Sequence, residues 1–139
     1  MRKIFIDTNI VIDLLSRRQL FYEEAADIFS MADKKEIELS VSSLTIANTN
    51  YVLLKHMDGN KAKATLRKLR LIIKILPLDD KIIGLALNDE TFSDFEDALQ
   101  YFTALENGND IIITRNLKDF KSSVIPAFTA KQFIETINK

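Results

Sequence analysis

The chain alternates between short, largely apolar runs and longer amphipathic stretches. Apolar runs occupy residues 3–6, 39–41, 74–78 and 110–114, and a last short run lies near residues 124–125. Runs of this length that end in polar residues predict buried strands. We therefore expect about five strands, with Pro77 ending the third.

The stretches between these runs carry apolar residues at helical spacing. They predict helices over residues 10–15, 21–32, 44–54, 60–73, 79–86, 92–107 and 129–138. Asp7 and Asp79 are expected to cap helix N-termini, and Gly108 stands where a C-terminal cap belongs. The apolar helix positions, Tyr51 and Phe95 among them, are expected to face the core.

Strands that alternate with helices indicate a parallel sheet that is covered on both faces. The predicted fold class is α/β, a three-layer α/β/α arrangement around a central, mostly parallel sheet of about five strands. A chain of 139 residues is expected to form one domain over residues 1–139.

The composition limits the classes of protein to which this chain can belong. Apolar residues make up 47% of the chain and charged residues 28%, which is ordinary for a globular protein. Its apolar stretches end well short of the ~20 residues that a membrane span needs, and no secretory leader pattern follows Arg2 and Lys3. We therefore expect a cytoplasmic protein with no membrane partner.

The residue types that are absent limit the chemistry. The chain has no Cys and one His, which excludes disulfides and thiolate sites and disfavours a His-based zinc site or a Ser-His-Asp triad. His56 lies near a predicted helix end and is interpreted as a surface residue. Carboxylates, amides and hydroxyls remain, and such oxygen ligands favour Mg²⁺ or Mn²⁺.

Polar clusters follow the predicted strands. They comprise Asp7-Thr8-Asn9 after the first, Ser42-Ser43 running to Asn48 after the second, Thr114-Arg115-Asn116 with Asp119 after the fourth, and Asp94, Glu96 and Asp97 before the fourth. The carboxyl ends of parallel strands carry the chemistry in open α/β sheets. We therefore expect these groups to share one edge of the sheet.

Several carboxylates in one cleft repel one another unless a cation lies between them. Clustered acids therefore favour a divalent metal, which lowers the pKa of a bound water and holds a phosphate oxygen. Purely structural roles stay open for individual acids. Asp7 could be only a helix cap, Asp94 and Glu96 fit ordinary first-turn acids, and Asp119 could form a turn with Asn116.

Three segments together resemble the signatures of the PIN-domain ribonucleases, a family that includes the VapC toxins of bacterial toxin–antitoxin pairs. They are residues 4–10 (IFIDTNI), 95–99 (FEDAL) and 112–120 (IITRNLKDF). Each segment alone is weakly specific, but their order and separation match over essentially the whole chain. The resemblance implies hydrolysis of single-stranded RNA that depends on Mg²⁺ or Mn²⁺.

The resemblance also assigns residues. Asp7 and Asp97 match metal-binding acids, Thr114 matches a hydroxyl residue after the fourth strand, and Asp119 lies near the position of a fourth acid, where Asn116 replaces the common Asp. The segment 43–48 is similar to the one that usually supplies a Glu, but this chain has Asn48, like one PIN subgroup. An amide oxygen can ligate Mg²⁺ without adding charge.

The implied mechanism is metal-assisted phosphodiester hydrolysis, with Asp7 and Asp97 holding the cation and Asn48 and Asp119 as direct or water-mediated ligands. Asp94 or Glu96 could supply the charge that Asn48 lacks. Contacts to RNA are expected from four basic residues near the site, Arg17, Arg18, Arg115 and Lys118. A further basic stretch, comprising Lys61, Lys63, Arg67, Lys68 and Arg70, is interpreted first as a solvated helix face.

Other interpretations remain. Asn48 could mark a catalytically weakened or inactive PIN scaffold that binds RNA or a partner. A phosphatase of the haloacid-dehalogenase type needs a second Asp where Asn9 stands, and receiver domains need an acid pair at the first strand and a later Lys, so both fit poorly. The family resemblance also implies an antitoxin partner and a homodimer.

Overall fold

The computed structural model describes residues 1–138, and Lys139 lies outside the described residues. A five-stranded parallel sheet forms the centre of this part of the chain, in the order β3-β2-β1-β4-β5. The strands are β1 (Arg2–Ile6), β2 (Ile37–Ser42), β3 (Lys74–Leu76), β4 (Ile111–Ile113) and β5 (Ala127–Phe128).

Within residues 1–138, seven α-helices and one short 3₁₀ helix (Leu117–Phe120) accompany these strands, and the last helix follows β5. The helices are α1 (Thr8–Leu15), α2 (Tyr22–Asp33), α3 (Ser43–Leu53), α4 (Gly59–Leu69), α5 (Asp80–Asn88), α6 (Phe95–Glu106) and α7 (Ala130–Ile137). The predicted three-layer fold with a parallel sheet is confirmed.

Alternating residues of β1 show how the layers form. Ile4 and Ile6 pack into a core with α1, α2, α4 and α7, while Phe5 packs on the opposite face against α6. All three side chains are fully buried. A strand with apolar residues on both faces is stable only between two layers of helices, so this short sequence determines the centre of the fold.

The order of the strands identifies one place at the edge of the sheet where a ligand site is expected. The chain runs outward from β1 through β2 to β3, then returns to the other side of β1 for β4 and β5. The order therefore reverses at β1, and the carboxyl ends of β1 and β4 lie at a topological switch point, where open α/β sheets bind ligands. The Asp7 backbone N–H donates to the Ile113 carbonyl at 2.9 Å and joins these two strand ends.

Acidic side chains begin several helices as the sequence predicts. The Asp7 carboxylate accepts from the Thr8 N–H at the start of α1, and Asp79 accepts from the Ile82 N–H at the start of α5. Gly108 follows α6 with a φ of 68°, the left-handed conformation that ends many helices. These three capping predictions are confirmed.

One of the two outer strands differs from prediction. The third strand stops at Leu76, before Pro77, as the sequence predicts. The last strand lies at Ala127–Phe128, not at residues 124–125. Ser123 explains the shift, because its hydroxyl donates to the Ile125 carbonyl and accepts from the Ile125 N–H. Ile125 is buried in the core, but its backbone groups are used in this local turn.

The helix predicted from residue 92 begins at Phe95. The Asp89 carboxylate accepts from the Phe92 N–H and holds a separate turn, and Asp94 then caps the helix. Phe95 is 45% exposed, so its assignment to the core was wrong.

Helix α3 also presents a different face from the one predicted. Tyr51 is 67% exposed and lies beside the Lys55 ammonium, 5.1 Å from the ring centroid, so its assignment to the core was wrong. Thr45, Thr49 and Leu53 are buried instead. Thr45 is buried because α3 begins at a polar strand edge, where its hydroxyl lies within hydrogen-bond distance of Thr8 and Gln100.

Two surface predictions are confirmed, since His56 and the basic positions of α4 are exposed. None of the helices within residues 1–138 has both the length and the apolar character that a bilayer crossing requires.

Candidate active site

The predicted site residues converge on the carboxyl ends of β1, β2 and β4. Asp7 follows β1 and Thr114 follows β4, and Ser42 is the last residue of β2. All three are buried, with Asp7 only 8% exposed. The topological switch point therefore carries an acid and hydroxyl groups in place of apolar side chains.

Four hydrogen-bond donors surround the Asp7 carboxylate. Oδ1 accepts from the Thr8 backbone N–H at 2.9 Å and from Gln100 Nε2 at 3.3 Å. Oδ2 accepts from Thr114 Oγ1 at 2.8 Å and from Asn9 Nδ2 at 3.3 Å. These donors fix the plane of the carboxylate, so Asp7 does more than cap α1.

The Asp7 charge is stabilised by dipoles alone within residues 1–138, because each of these four donors is neutral. Burial raises the pKa of Asp7 above its ordinary value, and the hydrogen bonds from Thr114, Thr8 and Gln100 partly oppose this increase. The negative charge of Asp119 raises the Asp7 pKa further. A buried acid in this state favours a bound cation.

Asp97 lies in the first turn of α6, where its N–H donates to Asp94 at 3.0 Å. Partial burial and the charges of four acids raise the pKa of Asp97 to about 7; those acids are Asp94, Asp119, Asp7 and Glu96. These carboxylates therefore share one electrostatic environment, as the strand topology predicts. We call Asp94, Glu96, Asp97 and Asp119 the acidic rim.

The separations within the rim limit how a cation can bind. Within residues 1–138, no three His, Cys, Asp or Glu side chains approach one another closely enough to hold one ion. Mg²⁺ usually keeps several waters and takes only one or two carboxylates. A hydrated cation between Asp7 and the acidic rim fits the residues present, and amide or hydroxyl oxygens can complete its ligands.

Two amides of the predicted site occupy different surroundings. Asn48 is half-buried on α3, one turn after Thr45. The Asn116 side chain is exposed, but its N–H donates to Thr114 Oγ1 at 3.1 Å. The Asp119 N–H donates to the Asn116 carbonyl, so the expected turn is present and coexists with the effect of Asp119 on its acidic neighbours.

A buried hydroxyl–amide network that the sequence interpretation missed supports Asp7. Gln100 Nε2 lies 3.0 Å from Thr45 Oγ1 and 3.1 Å from Thr8 Oγ1, and the Ser42 hydroxyl donates to Gln100 Oε1. The Thr8 and Thr45 hydroxyls share a further hydrogen bond of 2.7 Å. The available signal was a Gln inside the apolar stripe of α6, three residues after Asp97 and so on the same helical face.

The four predicted RNA-contacting residues divide into two pairs. Arg17 and Lys118 are exposed. Arg115 Nε instead lies 2.9 Å from Asp13 Oδ2, and Arg18 lies 3.7 Å from Asp13 Oδ1. The guanidinium of Arg115 also stacks 4.3 Å from the centroid of the Phe21 ring. Asp13, which the sequence interpretation missed, therefore holds both arginines.

Comparison with known proteins identifies the fold. The profile of the PIN domain matches residues 3–118. The chain belongs to the PIN-domain family. This PIN-domain chain is 31% identical over 140 residues to the ribonuclease VapC1 of Aquifex aeolicus (strain VF5), and the match covers 98% of this chain and 96% of that protein.

Solved structures share the PIN fold. A toxin–antitoxin complex from Klebsiella pneumoniae matches with a TM-score of 0.70 at 24% identity, covering 91% of this chain and 97% of that one. VapBC2 from Rickettsia felis, bound to a promoter DNA fragment, matches with a TM-score of 0.69 at 17% identity, covering 91% and 98%. At these identities the likeness concerns the PIN fold, and the VapC1 relative carries the functional comparison.

Proposed function

We propose that this PIN-domain protein is a metal-dependent endoribonuclease of the VapC toxin type that hydrolyses phosphodiester bonds in single-stranded RNA. One observation carries the proposal. Asp7 is a buried, dipole-stabilised carboxylate at the switch point of the sheet, and the negative charge of Asp119 in the acidic rim favours a cation beside it. The VapC1 relative supports the same activity.

Mg²⁺ or Mn²⁺ is the proposed cofactor, because the site offers only oxygen ligands. Asp7 and Asp97 would hold it, with Asp119 and Asn48 as direct or water-mediated ligands and Asp94 or Glu96 as further negative charge. When bound, the cation supplies charge neutralisation and a more acidic water. Thr114 orients the Asp7 carboxylate through its hydroxyl, and the exposed Arg17 and Lys118 are available to the phosphates of RNA.

Protein partners are part of the proposal. The Klebsiella pneumoniae structure is a toxin–antitoxin complex, and we propose that an antitoxin also binds this chain in the cytoplasm. Candidate contacts for an antitoxin or for a second copy in a homodimer are three exposed apolar residues: Tyr51 on α3, Leu54 directly after it, and Phe95 on α6.

The test is cleavage of single-stranded RNA during titration with Mg²⁺ and Mn²⁺. The parent, Asp7→Asn and Asn48→Glu are compared, with Asp33→Asn as a matched control because Asp33 is an exposed acid at the end of α2. We expect metal-dependent cleavage by the parent and the control, and its loss in Asp7→Asn. Cleavage that persists without metal, or in Asp7→Asn, would contradict the proposal.

An inactive binding scaffold is the second candidate, because Asn48 contributes no charge where the family usually has Glu. Cleavage by Asn48→Glu alone would favour this scaffold, whereas cleavage by both forms would identify Asn48 as a tolerated ligand. RNA binding by an inactive parent, measured as a gel shift that weakens with salt, would then define its function.

A further inference from the structure

The surroundings of Gln100 define a role beyond packing. This residue is 3% exposed on α6 and contacts elements that are distant in sequence, through Asp7, Thr8, Ser42 and Thr45. A buried amide at such a junction must be hydrogen-bonded to be stable. Its position beside Asp7 raises the question of what the amide does for the carboxylate.

The orientation of the Gln100 amide follows from its neighbours. Asp7 Oδ1 accepts hydrogen bonds only, so the nearby atom must be the donor Nε2 and not Oε1. The Ser42 hydroxyl donates to Oε1 from the other side and fixes the same orientation. Gln100 therefore directs N–H groups towards the acid and ties its own carbonyl oxygen to the end of β2.

The number of N–H groups is smaller than the number of acceptors. Nε2 has two hydrogens, but three acceptors lie within 3.3 Å of it, Asp7 Oδ1, Thr8 Oγ1 and Thr45 Oγ1. The contact with Asp7 is the longest of the three. The two hydroxyl groups therefore hold Nε2 in place beside Asp7 Oδ1.

Hydrogen bonds also restrict the Asp7 carboxylate, because each of its oxygens accepts two of them. These donors leave the carboxylate little freedom to rotate, so its neighbours fix the direction in which it presents an oxygen to a cation. Gln100 is the donor among them that comes from α6, the helix that also carries Asp97.

We propose that Gln100 is a positioning residue for the Asp7 carboxylate, and that its Nε2 contact with Oδ1 fixes the orientation in which Asp7 binds a cation. The inference about the cation rests on the proposed function. The inference about orientation rests on the hydrogen-bond geometry alone. Thr45 takes part through the hydroxyl that holds Nε2, and it connects Asp7 to the start of α3.

A double-mutant cycle tests the orientation without metal. Gln100→Met, Asp7→Ala and the double variant are unfolded by denaturant, and the change in the unfolding equilibrium constant is compared. We expect the change in the unfolding equilibrium constant of the double variant to differ about tenfold from the product of the two single changes, as for neighbours in one hydrogen-bond network. Additive effects would overturn the inference.

The affinity for Mn²⁺ tests whether Gln100 positions Asp7 for a cation. It is measured from the electron paramagnetic resonance signal of the free ion. We expect Gln100→Met to weaken Mn²⁺ binding about tenfold, and to lower the cleavage rate at limiting Mn²⁺ more than at saturating Mn²⁺. Thr103→Val is the control, because Thr103 lies one turn later on α6 and donates only to the Leu99 carbonyl. It should lower stability but leave Mn²⁺ affinity unchanged.

If Gln100→Met does not fold, Thr45 provides the second pair of variants. Thr45→Val removes the hydroxyl that holds Nε2 and is expected to weaken Mn²⁺ binding several-fold, whereas Thr45→Ser keeps it and should restore binding. Parent-like affinity in Gln100→Met, or in Thr45→Val, overturns the positioning role. A parent that binds no Mn²⁺ contradicts the proposed function, and a non-additive cycle then still supports the orientation of Asp7 by Gln100.

Discussion

Asp7 and Asp13 are two buried acids of one helix, six residues apart, with opposite surroundings. Asp7 caps α1 and is 8% exposed, while Asp13 lies within α1 and is 1% exposed. Burial raises the pKa of both carboxyl groups. The difference is that Arg115 and Arg18 lower the Asp13 pKa by their charge, whereas Asp7 has neutral donors and a repelling neighbour, Asp119.

The comparison separates an acid with charged partners from one with only neutral hydrogen-bond partners. Asp13 and its two arginines form an ion-paired group that joins α1 to the loop after β4. The four hydrogen-bond donors of Asp7 are neutral and leave its charge unbalanced, which favours a cation beside it. Burial alone would not distinguish the two residues, and the charge of their partners does.

The largest expected effect is on activity when Asp7 is replaced. Asp7→Asn keeps the shape of the side chain but removes the charge, and we expect cleavage to fall by roughly 1,000-fold, because cation contacts supply several kcal/mol to the transition state. Stability should change by only about 1 kcal/mol, since a buried uncompensated charge is also removed. Thermal unfolding beside the RNA cleavage assay checks both, and a large loss of stability would make Asp7 a structural acid.

Arg115→Met should act in the opposite way, on stability first. It leaves Asp13 buried with only the more distant Arg18, and we expect a loss of about 3 kcal/mol in the free energy of unfolding. The double variant Asp13→Leu/Arg115→Met should recover most of this loss, because no buried charge remains. Denaturant unfolding of the three proteins measures it, and equal stability of parent and Arg115→Met would remove the distinction from Asp7.

Thr114→Val tests how far neutral donors matter for Asp7. The hydroxyl of Thr114 makes the shortest hydrogen bond to the carboxylate, at 2.8 Å, and it is fully buried. We expect cleavage to fall about 10- to 100-fold, as for other residues that orient a metal ligand. Thr114→Ser keeps the hydroxyl and should retain most activity, so equal losses in both variants would indicate a packing effect.

The smallest effect that we predict concerns stability alone, and it is the change in pH dependence in Asp97→Asn. Burial and the neighbouring acids raise the pKa of Asp97 to about 7 in the folded protein, whereas an unfolded Asp has its ordinary pKa of 3.8. Between pH 3.8 and pH 7 the folded protein therefore binds one more proton at Asp97 than the unfolded chain. For this reason Asp97 lowers the free energy of unfolding as the pH rises through this range. Asp97→Asn should be more stable than the parent by about 1 kcal/mol at pH 8, with a smaller difference at pH 4.

Urea unfolding at the two pH values measures this difference. Asp33→Asn, which removes an exposed acid from α2, should show no comparable change between pH 4 and pH 8. A constant difference between Asp97→Asn and the parent at both pH values would contradict the repulsion within the acidic rim.

Local patterns were sufficient for the layers of the fold. The apolar run of β1 and the helical spacing of the flanking segments both arise because residues close in sequence are buried on the same face. The periodicity of apolar residues therefore predicts them. The edge strand after Ile125 and the face of α3 were predicted wrongly, because a Ser123 turn and the hydroxyl partners of Thr45 depend on contacts that the apolar pattern does not report.

The site was predictable where single residues follow strands. Asp7 and Thr114 do so, and the structure brings them together, although their catalytic roles stay predictions. Gln100 and Asp13 were missed because each lies inside a helix, where one polar residue among apolar neighbours does not reveal its partner. The assignment of Arg115 to RNA also stays a prediction, now with Asp13 and Phe21 as its contacts.

The shortness of the two outer strands also bears on aggregation. β3 has three residues and β5 has two, and each adjoins a proline, Pro77 or Pro126. Short, proline-bounded edges offer few free N–H and C=O groups to a strand of another molecule. Pairing of the sheet edges of two copies of this chain is therefore disfavoured.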